Sequence, residues 1–159
     1  MNLPAFTIPK PFGKAMSMLP AYPHSLVFSR VLNLALGRLI QPELLEPLHG
    51  KLISIRVTDA GLSFYITIGR SGFSACKAGP TPDLAFSATA YDFVMLATRK
   101  EDPDTLFFSR RLVVEGDTEL GLIAKNTLDA VELPKLDVAE LMPGKVLERI
   151  RSRVFASAR

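Results

Sequence analysis

One cysteine, Cys76, is all the thiol chemistry in this chain of 159 residues. No internal disulfide can form, which fits a reducing compartment. Cys76 stands on an expected strand with no acid–base partner near it in sequence, so it reads as a small packing residue rather than a nucleophile. Histidine is nearly as scarce. His24 and His49 fall in no cluster with metal-ligand spacing, so neither a zinc site nor any other cofactor is expected. The chain lacks a G-x-G-x-x-G loop, a Walker lysine loop and a G-x-S-x-G elbow. Without a nucleophile constellation a small hydrolase is disfavoured, and no catalytic residue is expected. Apolar runs are short, and none reaches the ~18 residues of a membrane-spanning helix. Residues 1–20 hold Pro4, Pro9, Pro11 and Pro20 together with two lysines, unlike a secretory signal.

Acidic residues are missing from one stretch in particular. Residues 1–42 carry Lys10, Lys14, Arg30 and Arg38 and no carboxylate, for a charge of +4. Residues 43–143 sum to −5, and residues 144–159 return to +4. Two basic flanks with apolar neighbours around an acidic middle suit an anionic membrane surface better than nucleic acid. The expected setting is the cytoplasm, with peripheral attachment to the inner membrane left open.

The residues that are present pattern clearly. The prolines of 1–23 argue against a persistent helix there. Residues 24–40 space Leu26, Val27, Val31, Leu34 and Leu39 as a helix does. LISIRV (52–57), LSFYITI (62–68), GFSACKA (72–78) and LAFSAT (84–89) alternate as strands, and their short connections suggest antiparallel pairing. Thr89 with Asp92 forms a capping-box pattern, Asp102-Pro103 an N-cap with proline at N1, and Asp117 or Thr118 a third cap. Capping also accounts for the acidic cluster Glu101, Asp102 and Asp104, so no metal is expected there. RLVVE (111–115) is a fifth strand. Leu120, Ile123, Ala124, Thr127, Leu128 and Val131 mark the helix after it, and Pro143 opens a last one. Helix, four strands, two helices, a strand and two more helices make an α+β fold: a five-stranded, mostly antiparallel sheet covered by helices. The organisation expected is a basic, apolar segment with a helix at 1–40, a central domain at 41–136 and an amphipathic basic helix at 137–159.

The stretch DLAFSATAYDFVMLATRKEDPDTLFFSRRLVVEGDTELGLIAKNTLDAVEL (83–133) resembles the C-terminal half of sterol-carrier-protein type-2 domains. Within it, RKEDPDTLFFSRRLVVEGDTELGL is similar to the UbiT family in particular. The resemblance implies an apolar cavity between sheet and helices. It also implies a non-catalytic, lipid-binding accessory role in oxygen-independent ubiquinone biosynthesis. The implied ligands are polyprenylated quinone precursors, bound by their isoprenoid tails and presented to the UbiU and UbiV hydroxylases. A phospholipid-binding or transfer protein and an enzyme scaffold without a ligand remain the alternatives. The residues themselves leave the phenylalanines open between plain core and cavity lining. With the resemblance, Phe86, Phe93, Leu96, Leu106, Phe107, Leu112 and Ile123 are the expected lining, although adjacent Phe107 and Phe108 lie about 100° apart on a helix and need not share a face. Arg110 and Arg111 read either as a solvated pair or as a headgroup or partner contact.

In the last helix Val146, Leu147, Ile150 and Val154 form one apolar stripe. Arg149, Arg151 and Arg153 surround it and Phe155 stands at its margin. Such a helix can lie on an anionic leaflet, close over a cavity as a lid, or pack on the sheet. Three arginines near the leaflet would add roughly 3 kcal/mol before screening. The full chain is therefore expected to float with anionic liposomes at low salt, and a chain truncated after Leu141 is expected to float less. Equal flotation of the two would assign the helix to the fold alone.

Overall fold

The computed structural model describes residues 5–130 apart from residues 19, 38 and 80; the helix expected at 143–156 lies outside the described residues. Five strands form one sheet: β1 (Leu52–Val57), β2 (Leu62–Gly69), β3 (Gly72–Ala75), β4 (Leu84–Ala88) and β5 (Val113–Gly116), in the order β3-β2-β1-β4-β5. Ile53 pairs with Ile66 and Leu84, and Ile55 with Phe64 and Phe86. Because side chains alternate along a strand, this register gathers the large apolar residues on one face. The opposite phase sends Ser54, Arg56, Tyr65, Ala85, Ser87 and Glu115 to the other face.

Three of the four pairings are antiparallel, and β1 with β4 is parallel. This corrects the antiparallel pairing suggested by the short connections, while the sheet as a whole stays mostly antiparallel. Parallel neighbours need a crossover of a dozen or more residues, and here β2 and β3 are themselves that crossover. The connection 76–83 then carries the chain back from the β3 edge past β2 and β1. Asp83 fixes its landing point. Its N–H donates to the Leu52 carbonyl at 2.9 Å, and its carboxylate accepts from the Leu52 N–H at 2.8 Å.

Helix α2 (Ala21–Leu36) runs beside β2 and β3. Phe28 stacks on Phe64 with ring centres 4.4 Å apart, and Leu32 and Leu36 pack against the core. Three of its polar residues reach the strands. Asn33 accepts from the Phe73 N–H at 2.8 Å and donates to the Phe73 carbonyl at 2.7 Å. Ser25 accepts from the Tyr65 N–H at 2.9 Å, and His24 Nε2 donates to the Ser63 carbonyl at 2.9 Å. Backbone groups that an edge strand would otherwise leave open are thus met by helix side chains. Gly72 allows this closeness, since at φ +103° a Cβ there would sit 2.4 Å from Asn33 Oδ1.

A helix also forms where the prolines argued against one. Helix α1 (Lys10–Ser17) has Pro11 as its second residue, where no intrahelical N–H bond is lost. It docks on the β1–β2 turn: Ile8 N–H donates to Asp59 at 3.1 Å, and Gly13 lies so close that a Cβ would be 2.9 Å from the Asp59 carbonyl. The other oxygen of Asp59 accepts from the Ala90 N–H at 2.9 Å, at the start of α4 (Ala90–Ala97).

The apolar face is covered further by α3 (Pro42–Leu45), the 3-10 turn Glu46–Leu48 and α6 (Thr118–Ala130), whose Leu45, Leu48, Leu120 and Ala124 join Ile53, Ile66, Ile68 and Leu84 in one cluster. The expected caps form. Thr89 accepts from the Asp92 N–H, Asp102 from the Thr105 N–H ahead of α5 (Pro103–Phe108), and Asp117 from the Glu119 N–H. Helices α4 and α5 both end in a Schellman turn, with an arginine rather than glycine in the left-handed position: Arg99 at φ 55° and Arg110 at φ 58°.

Asn33→Ala removes both side-chain bonds to Phe73 while leaving α2 helical. It should lower stability by about 2 kcal/mol in urea denaturation, whereas Arg30→Ala on the outer side of α2 should stay within about 0.5 kcal/mol. Equal effects of the two would mean that water serves the β3 edge as well as Asn33 does.

Candidate functional site

The apolar region between sheet and helices starts from β4. Phe86 sits at its middle, paired with Ile55 on one side and Val114 on the other, and packs into two clusters at once. One is the main core. The other comprises Ala88, Leu106 and Leu112, with Phe86, Phe93, Leu96 and Val114 against them. Five of the seven residues expected to line an apolar site, Phe86, Phe93, Leu96, Leu106 and Leu112, therefore meet in one place. Ile123 belongs to the neighbouring main core, which Phe86 and Val114 join to this cluster.

Phe107 does not join them. It is 46% exposed and Phe108 is 80% exposed, while Leu106 before them is fully buried. Helix α5 has only one inward direction, and Leu106 takes it. Phe107 and Phe108 instead meet edge to face at the surface, with ring centres 5.7 Å apart. The expected membrane-contact residues Arg149, Arg151, Arg153 and Phe155 lie outside the described residues.

The two arginines before β5 separate. Arg110 is exposed. Arg111 is half-buried and reaches back to Asp92 on α4, donating through Nε at 2.9 Å and through a terminal nitrogen, and to Glu101 through its other terminal nitrogen. Its guanidinium pKa is raised, first by the hydrogen bond with Glu101 and then, against some desolvation, by Asp92. Arg111 is thus partly exposed, but its guanidinium is committed to Asp92 and Glu101. It joins α4, the α4–α5 loop and the entry to β5 around Leu106 and Leu112. Nearby, Thr105 holds the Asp102 carboxyl below the usual carboxylate range, and Asp104 raises the Lys125 ammonium while tying α5 to α6.

The other face of the sheet differs in kind. It holds a cleft of ≈310 Å³ bordered by Ser54, Arg56, Tyr65, Thr81, Ser87 and Glu115, among others. None of these was singled out from sequence. The signal was present in the polar phase of the alternation in LISIRV and LAFSA, which reads by default as a solvated surface. Among the described residues no His/Cys/Asp/Glu group has the arrangement of a metal site, and no helix is long and apolar enough to cross a membrane.

Arg111→Ala would leave Asp92, only 5% exposed, without its cation. Stability should fall by about 2 kcal/mol, below the figure for fully buried pairs because Arg111 itself meets solvent. Arg111→Lys should recover little of this, since a lysine cannot reproduce the forked contact. Phe108→Ala should be near neutral. Urea denaturation of the three variants checks the order.

A family model described as "SCP-2 sterol transfer family" matches residues 32–129. Among curated proteins, "Ubiquinone biosynthesis accessory factor UbiT" of Escherichia coli (strain K12) is 43% identical over 113 residues, and its counterpart from Escherichia coli O157:H7 matches with the same figures. The match takes in 71% of this chain and 64% of the relative, so the chain spans less than two thirds of that protein's length. Among solved structures, "UbiJ-SCP2 Ubiquinone synthesis protein" superposes with a TM-score of 0.54 at 20% identity, covering 67% of this chain and 94% of that one. At that identity the likeness speaks for the fold.

Proposed function

The chain belongs to the SCP-2 sterol transfer family, and from that premise we propose that it is a non-catalytic lipid-binding accessory factor of ubiquinone biosynthesis. The observation that carries the reading is the 43% identity to UbiT over 113 residues, joined to a sheet whose one apolar face is roofed by helices. In this reading the isoprenoid tail of a quinone precursor enters the apolar layer around Phe86, Phe93, Leu96 and Leu112. A long polyprenyl chain needs a continuous apolar enclosure, and Phe86 and Val114 bridge the two clusters where such a path would run. The ring would stay accessible to the UbiU and UbiV hydroxylases, which do the chemistry. The basic residues of the two flanks would hold the carrier at an anionic inner-membrane surface from which the lipid is drawn.

Solvent extraction of the purified chain followed by mass spectrometry is the direct test. Polyprenylated quinone precursors should be recovered, and Phe86→Asp, which places a charge in the apolar layer, should purify without them. Recovery of phospholipid alone would favour a phospholipid carrier. An empty protein that still captures the hydroxylases would favour a scaffold.

A further inference from the structure

We propose that the cleft on the outer face of the sheet, away from the helices, is a second binding site, for a small zwitterion bearing an anionic oxo group and an ammonium. Two adjacent cross-strand rows make its floor. One runs Tyr65–Ser54–Ala85–Glu115, and the next places Arg56 beside Ser87. The β3–β4 connection supplies a wall through Thr81, giving a concavity of ≈310 Å³, within the range of small-molecule sites.

The charges on its border point to a ligand, and Ser54, only 3% exposed, sets a hydroxyl-bearing residue on the floor between them. Arg56 and Glu115 border the same cleft with opposite charges, and neither forms an ion pair among the described residues. Two strand spacings and two residues of rise set their Cα atoms about 12 Å apart, so they face the cleft from opposite ends rather than neutralise each other.

The charges decide the ligand class. A bare anion would gain from Arg56 and be opposed by Glu115, and a bare cation would meet the reverse. A molecule carrying both groups satisfies both ends at no net charge. The guanidinium fork suits a phosphate or carboxylate, Glu115 accepts from the ammonium, and the hydroxyls of Ser54 and Ser87 reach the atoms between. The same chemistry is offered by a free aminoalkyl phosphate and by the headgroup of a phosphatidylethanolamine.

The test is titration of the full ¹⁵N-labelled chain with O-phosphoethanolamine, followed by amide shifts. Saturable shifts at residues 54–56, 85–87 and 113–116 are expected, with millimolar affinity. Arg56→Gln should weaken binding about tenfold, the loss of one charged hydrogen-bonded contact. Glu115→Gln should weaken O-phosphoethanolamine but strengthen inorganic phosphate, and Arg70→Gln in the β2–β3 turn should change neither. Vesicles containing phosphatidylethanolamine distinguish the sources: if they displace the probe and phosphatidylcholine vesicles do not, the ligand is a headgroup, and if neither does, it is a free molecule. The proposal is overturned if shifts are absent or confined to the helix side of the sheet, if Arg56→Gln and Glu115→Gln bind as the parent does, or if inorganic phosphate binds as well as O-phosphoethanolamine. The site faces away from the lipid layer, so loss of probe binding would leave the lipid-extraction result untouched.

Discussion

Parallel pairing of β1 with β4 sets the terms for everything around it. With β1 and β4 side by side, Ile53 and Ile55 stand next to Leu84 and Phe86, and the apolar phases of β1, β2 and β4 fall on one face. Burial of that face, at roughly 25 cal/mol per Å² of apolar surface, is the main favourable term available to a domain of this size. A one-residue slip in the pairing would turn Leu84 and Phe86 to the outer face. Asp83 guards against the slip by bonding both backbone groups of Leu52 just before the pairing starts.

Much of this was legible in the chain because it depends on local chemistry. LISIRV and LSFYITI alternate cleanly and are β1 and β2 within one residue, Thr89 and Asp102 cap the helices they announced, and of Asp117 and Thr118 it is Asp117 that caps α6. What escaped depends on partners far away in sequence. The parallel pairing needs a connection that passes two strands, and no turn signal encodes which strand it will reach. Helix α1 was hidden because proline was weighed by its presence; what matters is its position in the turn, and Pro11 is in the first one. Asn33 lies 40 residues from Phe73, and Arg111 lies 19 from Asp92, so neither bond leaves a local pattern.

The candidate site was legible in part for the same reason. The family resemblance named Phe86, Leu106, Phe107 and Leu112 among the lining, and helix geometry said only that Phe107 and Phe108 need not share a face. Packing decides which residue of α5 is buried: Leu106 fits beside Ala88, Leu112, Phe86 and Val114, and Phe107 stays outside. The two faces of the sheet thus follow different rules. The helix side is apolar and continuous around Phe86. The outer side is polar, with its hydrophilic phase gathered over β1 and β4.

The polar residues of α2 carry a consequence for how molecules of this chain meet one another. An exposed strand edge is a template on which a neighbouring chain can build, and this is the usual start of ordered aggregation. Here β3 offers little of that template, because Asn33 occupies both backbone groups of Phe73 and Ser25 and His24 occupy those of the strand behind it. The opposite edge, β5, is four residues long and ends at Gly116 with φ +108°. Both edge strands are four residues long, and a sheet with one edge already met by helix side chains and the other ending at a left-handed glycine can be held at high local concentration without recruiting its own copies.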